Sequence, residues 1–142
     1  MESTELSIDT SGRELTDLTS QVSEFCRSLG DGLLSVFVPH ATAGVALMET
    51  GSGSEADLDE LLGRLLPRDD RYRHRHGAES PGAVGDTVGH GADHLLLVLI
   101  SPSLVVPVQG GRPQLGTWQS VVLVDFNEDN PRRTVRLSFV TG

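Results

Sequence analysis

The stretch LLSVFVPHATAGVALME, Leu33 to Glu49, decides the fold class. Leu33 to Val38 is an apolar run rich in β-branched and aromatic residues, and Gly44 to Met48 is a second. Both read as strands, separated by Pro39, His40, Ala41 and Thr42. Upstream, residues 4 to 9 alternate weakly around Leu6 and Ile8 as an edge strand. The period then changes: Leu15, Leu18, Val22, Phe25, Cys26 and Leu29 fall at helical spacing, with Gly30 placed for a left-handed cap. Downstream, Ser54 and Asp57 resemble a capping box for a second helix, whose stripe of Leu58, Leu61, Leu62, Leu65 and Leu66 stops at Pro67.

From Arg68 to Asp93 apolar periodicity almost vanishes, which predicts a long loop carrying His74, His76 and His90. Leu95 to Ile100 and Leu104 to Val108 are again apolar, Gly110 and Gly111 mark a hairpin turn, and Trp118 to Phe126 reads as a strand. In the final strand Val135, Leu137 and Phe139 alternate with Thr134, Arg136 and Ser138, so one of its faces is wet. The order predicts an α+β fold: one domain over residues 1 to 142, with mixed, largely antiparallel sheets arranged like a sandwich and two helices.

Composition narrows the chemistry. The 142 residues suit one core, and 11 basic against 20 acidic residues leave a net charge of −9, which argues against general nucleic-acid binding. No apolar run approaches the roughly 20 residues of a membrane helix. All eleven basic positions are arginine. The absence of lysine excludes Schiff-base and pyridoxal enzymes and P-loop hydrolases, which need its amine. The single Cys26 has no disulfide partner in the chain, and Glu2, Glu5 and Asp9 stand where a signal peptide would be apolar, so a cytoplasmic location is expected.

Four groups of residues could carry function. His40 sits at a strand end, and with His74, His76, His90 and His94 it could supply a metal's imidazole ligands or be a solvated side chain. Glu49 ends an apolar run, where a carboxylate needs a cation or donors unless the strand has surfaced. Arg68, Arg71, Arg73 and Arg75 crowd into eight positions, forming either a phosphate or carboxylate trap or a solvated loop with internal ion pairs. Trp118 reads as a core anchor, beside Gln119, which needs a partner if it faces inward.

His-Ala-Thr-Ala at 40 to 43, Glu49, Arg-Asp-Asp-Arg-Tyr-Arg-His at 68 to 74 and His94 occur in that order. Ser103 to Pro107, Gly110 to Gly111 and Leu-Gly-Thr-Trp-Gln at 115 to 119 follow. Nearly the whole chain thereby resembles the YjbQ-like family, to which a secondary thiamine-phosphate synthase activity is ascribed. Two departures stand out: His-Ala-Thr-Ala replaces the usual His-Thr-Ser or His-Thr-Thr start, and Met48 stands where the family has asparagine. The segment 78 to 91 also departs from the family.

The resemblance implies a small cytoplasmic homotrimer whose histidines and glutamate line a cleft. It implies an enzyme that joins a pyrimidine-methyl diphosphate to a thiazole phosphate and releases diphosphate. Glu49, His40 and Arg73 would be catalytic, and Arg71, Arg73, Trp118 and Gln119 would hold a small phosphorylated substrate. His40, His74 and His94 would bind zinc or a similar divalent metal, with magnesium possible on the diphosphate. A metal- or small-anion-binding trimer with incidental activity is the rival expectation. Another is a metal-dependent hydrolase with Glu49 as its general base.

Overall fold

The computed structural model describes the chain apart from residues 12, 69–71, 75–89 and 128–129. Strands β1 (Glu2–Asp9), β3 (Gly32–Phe37), β5 (Ser103–Gln109), β6 (Arg112–Pro113) and β8 (Arg132–Thr141) form one sheet in the order β1-β8-β3-β5-β6. Strands β2 (Leu15–Asp17), β4 (Ala43–Met48) and β7 (Ser120–Asp125) form the other, in the order β2-β7-β4. Every ladder among the described residues is antiparallel. The two runs that decide the fold class are β3 and β4, one in each sheet.

Alternation then separates two cores. Leu34 and Val36 of β3, Val121 and Leu123 of β7, and Val135, Leu137 and Phe139 of β8 meet in one buried cluster between the sheets. Val122 and Val124, pointing the other way from β7, meet Leu62 and Leu96 in a second. The three-stranded sheet is therefore apolar on both faces, and helices α2 (Ser54–Leu65) and α3 (His90–Leu99) supply Leu62 and Leu96 to cover the second face.

Helix α1 (Thr19–Cys26) is shorter than its apolar spacing predicts. Leu15 belongs to β2, and Leu18, fully buried, donates its N–H to the Val121 carbonyl. The helix begins only where an Asp17 carboxylate oxygen accepts the Thr19 N–H at 2.8 Å. Gly30 does adopt φ 76, in the turn beyond the helix. In α2 the expected Ser54 box is replaced. Gly53 at φ 93 leads into the helix, and Glu55 reaches back to accept the Gly51 N–H at 2.6 Å.

Leu95 to Leu99 of the next apolar run form the third helix's second half, not a strand, and Ile100 follows the helix end. The run's residues are mostly leucine with a single valine before Ile100, a composition that favours helix. Asp93 lies in its first turn, where the helix dipole favours a carboxylate. At the other expected turn, Gly110 and Gly111 hold φ 56 and 73, as a two-residue hairpin requires. Strand β7 starts at Ser120, so Trp118 lies in the preceding turn.

Candidate functional site

A buried ion pair anchors one end of the sandwich. Asp125 ends β7 and Arg133 begins the inward face of β8; they are 4% and 3% exposed. The guanidinium grips the carboxylate with two parallel bonds, Nε to Oδ2 at 2.5 Å and Nη2 to Oδ1 at 3.0 Å. Asp125 also accepts the Thr10 hydroxyl and the Asn127 N–H, while Arg133 Nη2 donates to Thr42 Oγ1 at 2.8 Å. Every lone pair that burial strips of water thus finds a donor. The sequence reading missed this pair, although the β8 alternation that places Val135, Leu137 and Phe139 inside places Arg133 there too.

His40 joins this network through the next residue. Its Nε2 accepts the backbone N–H of Thr134 at 2.9 Å. An imidazole that accepts at Nε2 is neutral and carries its proton on Nδ1. Burial lowers its pKa below the usual 6.5, and the Arg133 charge lowers it further; Asp125 opposes them more weakly. Both ring nitrogens are then committed, one to Thr134 and one to a proton, so in this arrangement His40 serves the fold's hydrogen bonding.

From Asp125 the network runs to α3. Arg68 Nη2 donates to the Phe126 carbonyl at 2.5 Å and lies 3.2 Å from Asp93 Oδ1, the residue before His94. The Tyr72 hydroxyl donates to the Pro67 carbonyl at 2.7 Å, folding the segment back against α3. Tyr72 packs on Gly91 so closely that a Cβ there would lie 2.4 Å from its own Cβ. Two residues on, His74 stacks on His94 with ring centroids 3.9 Å apart and planes at 30°. Of the expected arginine trap, Arg68 is engaged with Asp93 and Phe126, Arg73 is exposed, and Arg71 and Arg75 lie outside the described residues.

Glu49, Trp118 and Gln119 lie elsewhere. Ala43 pairs with Asp125 at one end of β4, and Met48 pairs with Ser120 at the other. Those ends are about 17 Å apart at 3.3 Å per residue. His40 therefore lies beyond one end and Glu49, Trp118 and Gln119 beyond the other, so the chain does not bring His40 and Glu49, two of the three expected catalytic residues, together. Trp118 is 72% exposed, so it is not a core anchor. Gln119 does not face inward for a partner either: its Oε1 accepts the Gly116 N–H at 2.8 Å and closes the local turn.

The two facing antiparallel sheets, the helices over one of them and the histidine-bearing edge define a class of small α+β sandwich proteins. The family described as UPF0047 protein YjbQ-like matches residues 4–142, and the chain belongs to it. It is 60% identical over 142 residues to UPF0047 protein Rv2556c of Mycobacterium tuberculosis, each chain covered completely. A UPF0047 protein of Archaeoglobus fulgidus is 35% identical over 133 residues, covering 92% of this chain and 96% of its own. The crystal structure of a hypothetical protein from Aeropyrum pernix K1 superposes with a TM-score of 0.80 at 33% identity, covering 100% of both chains. A YbjQ-like protein of unknown function from Sulfolobus solfataricus P2 shares the fold, with a TM-score of 0.84 at 21% identity over 99% of this chain and 97% of that one.

These relatives correct two expectations. They bear a family designation or are described as of unknown function, and none supports thiamine-phosphate synthesis or a transferase. The expected synthase role is thereby overturned. Among the described residues no group of three or more His, Cys, Asp or Glu side chains could hold a metal ion. The expected metal-binding set of His40, His74 and His94 is accordingly not assembled among the described residues, and His40 Nε2 is taken by the Thr134 N–H. Among the described residues no helix is long and apolar enough to cross a membrane.

Proposed function

We propose that this protein is a self-associating subunit that binds a small phosphorylated molecule beside α3. The observation that carries the reading is the His74–His94 stack, with Arg73 exposed next to it in the chain. Two imidazoles and one guanidinium fork gather nitrogen groups of the kind whose N–H bonds a phosphate monoester accepts. Tyr72, held by the Pro67 carbonyl and seated on Gly91, positions the segment that carries Arg73 and His74 against α3, which carries His94. Titrating glycerol phosphate into the wild type and His94→Ala by calorimetry tests the reading. Saturable binding lost in the variant supports it, and equal heats in both would remove its basis.

Self-association is supported by the outer face of the five-stranded sheet. Leu33 pairs with Val140 on one side and Pro107 on the other, and Ser35 pairs with Val105. Leu33, Val105 and Val140 are each half exposed or more, which leaves a contiguous apolar patch on water. A closed ring of three copies would cover it by a head-to-tail contact. The buried Cys26 and the lack of any disulfide partner fit a reducing compartment, and we place the protein in the cytoplasm.

A further inference from the structure

A cavity of about 300 Å³ opens between α2 and α3. Leu62, Leu66, Ala92, Leu96 and Phe126 give it an apolar lining, and Asp59, Glu60, Asp93 and Arg68 supply its charges. Arg68 is already held by Asp93 and the Phe126 carbonyl. Among the described residues Asp59 and Glu60 have no such partner, so the cavity keeps two free carboxylates above an apolar interior.

Gly63 lies on the cavity wall, in the interior of α2. Glycine weakens a helix there relative to alanine. A Cβ at this position would meet nothing within 4 Å, so the missing side chain relieves no clash and only leaves the cavity open.

We propose that this cavity binds a small organic cation, an aromatic or alkyl group bearing a primary ammonium. The apolar part lies against Leu62, Leu96 and Phe126, and the ammonium meets Asp59 and Glu60. A cavity of about 150 Å³ can accommodate benzene, so twice that volume has room for a ring and a short amine arm. The net charge of −9 further enriches cations over anions at the surface. This site involves neither His74 nor His94 and stands independently of the phosphate reading.

The test is calorimetric titration of 2-phenylethylamine and, as an anion of similar size, 3-phenylpropanoate, with amide NMR shifts to locate the bound amine. The amine is expected to bind saturably at α2 and α3, and the acid at least tenfold more weakly. Gly63→Leu fills the cavity without a clash at Cβ, so it should abolish amine binding while keeping the wild-type thermal midpoint or a higher one. The double variant Asp59→Asn/Glu60→Gln should bind the amine at least fivefold more weakly. Absent amine binding, equal binding of amine and acid, or undiminished binding by folded Gly63→Leu would each overturn the proposal.

Discussion

His40 Nε2 accepts the backbone N–H of Thr134 at 2.9 Å, tying the crossing between the sheets to the start of β8 beside the Asp125–Arg133 pair. Because this bond needs a neutral ring, protonation opposes it. The folded pKa lies below 6.5, so between 6.5 and that lower value the unfolded chain binds more protons than the folded one. The stabilisation is present above pH 6.5 and is lost as pH falls through that window. The thermal midpoint difference between wild type and His40→Gln should accordingly be larger at pH 8 than at pH 5.5. A pH-independent difference would show that the imidazole does not titrate against folding.

Arg133→Met leaves Asp125 charged, buried and without its guanidinium. Loss of one partner of a buried pair costs about 3–5 kcal/mol, and the denaturation midpoint should fall accordingly. The double variant Arg133→Met/Asp125→Leu should recover much of that loss, since no buried charge remains. Guanidinium unfolding curves of both variants check the contrast.

The chain's character as an antiparallel α+β sandwich was legible because β3 and β8 carry β-branched and aromatic residues and β4 is a short uninterrupted apolar run. Other elements were ambiguous for physical reasons. Periodicity alone does not separate a buried strand from a buried helix in a six-residue apolar run such as Leu95 to Ile100, and its leucine-rich composition and the packing of Leu96 against Val122 and Val124 are what favour the helix. Leu15 and Leu18 match helical spacing yet serve β2 and its turn. At the site, motif order along the chain pointed to His40, His74, His94 and Glu49. It could not reveal that β4 holds His40 and Glu49 at opposite ends, or that Thr134 occupies His40 Nε2.

Gly63→Ala should stabilise the protein by about 1 kcal/mol, because alanine removes glycine's penalty in a helix interior and its Cβ meets open space. Gly111→Ala should do the reverse: its φ of 73 is strained for alanine, and the new Cβ would lie 2.4 Å from the Arg27 carbonyl oxygen. Paired thermal melts reveal the opposite signs.

Trp118→Ala should change stability by no more than about 0.5 kcal/mol, the range for surface substitutions, since Trp118 is exposed and projects from a turn closed by Gln119. A loss of several kcal/mol would place the indole in a core after all.

Val105→Glu puts a charge on the outer sheet face, opposite Ser35, without entering either core. Wild-type protein in sedimentation equilibrium should have three times the 15.2 kDa chain mass, and the variant should dissociate while keeping its circular dichroism. A monomeric wild type at micromolar concentration would contradict self-association.

The central claim, a phosphate site at Arg73, His74 and His94, meets its most direct test in calorimetric titration of glycerol phosphate into Arg73→Lys and Arg132→Lys. Lysine keeps the charge but cannot make the guanidinium's two parallel bonds. Arg73→Lys should weaken binding about tenfold, the scale of one charge-assisted hydrogen bond. Arg132→Lys, on the exposed start of β8, should bind like wild type. Equal affinities in the two variants would contradict the account, leaving the arginine run a solvated loop.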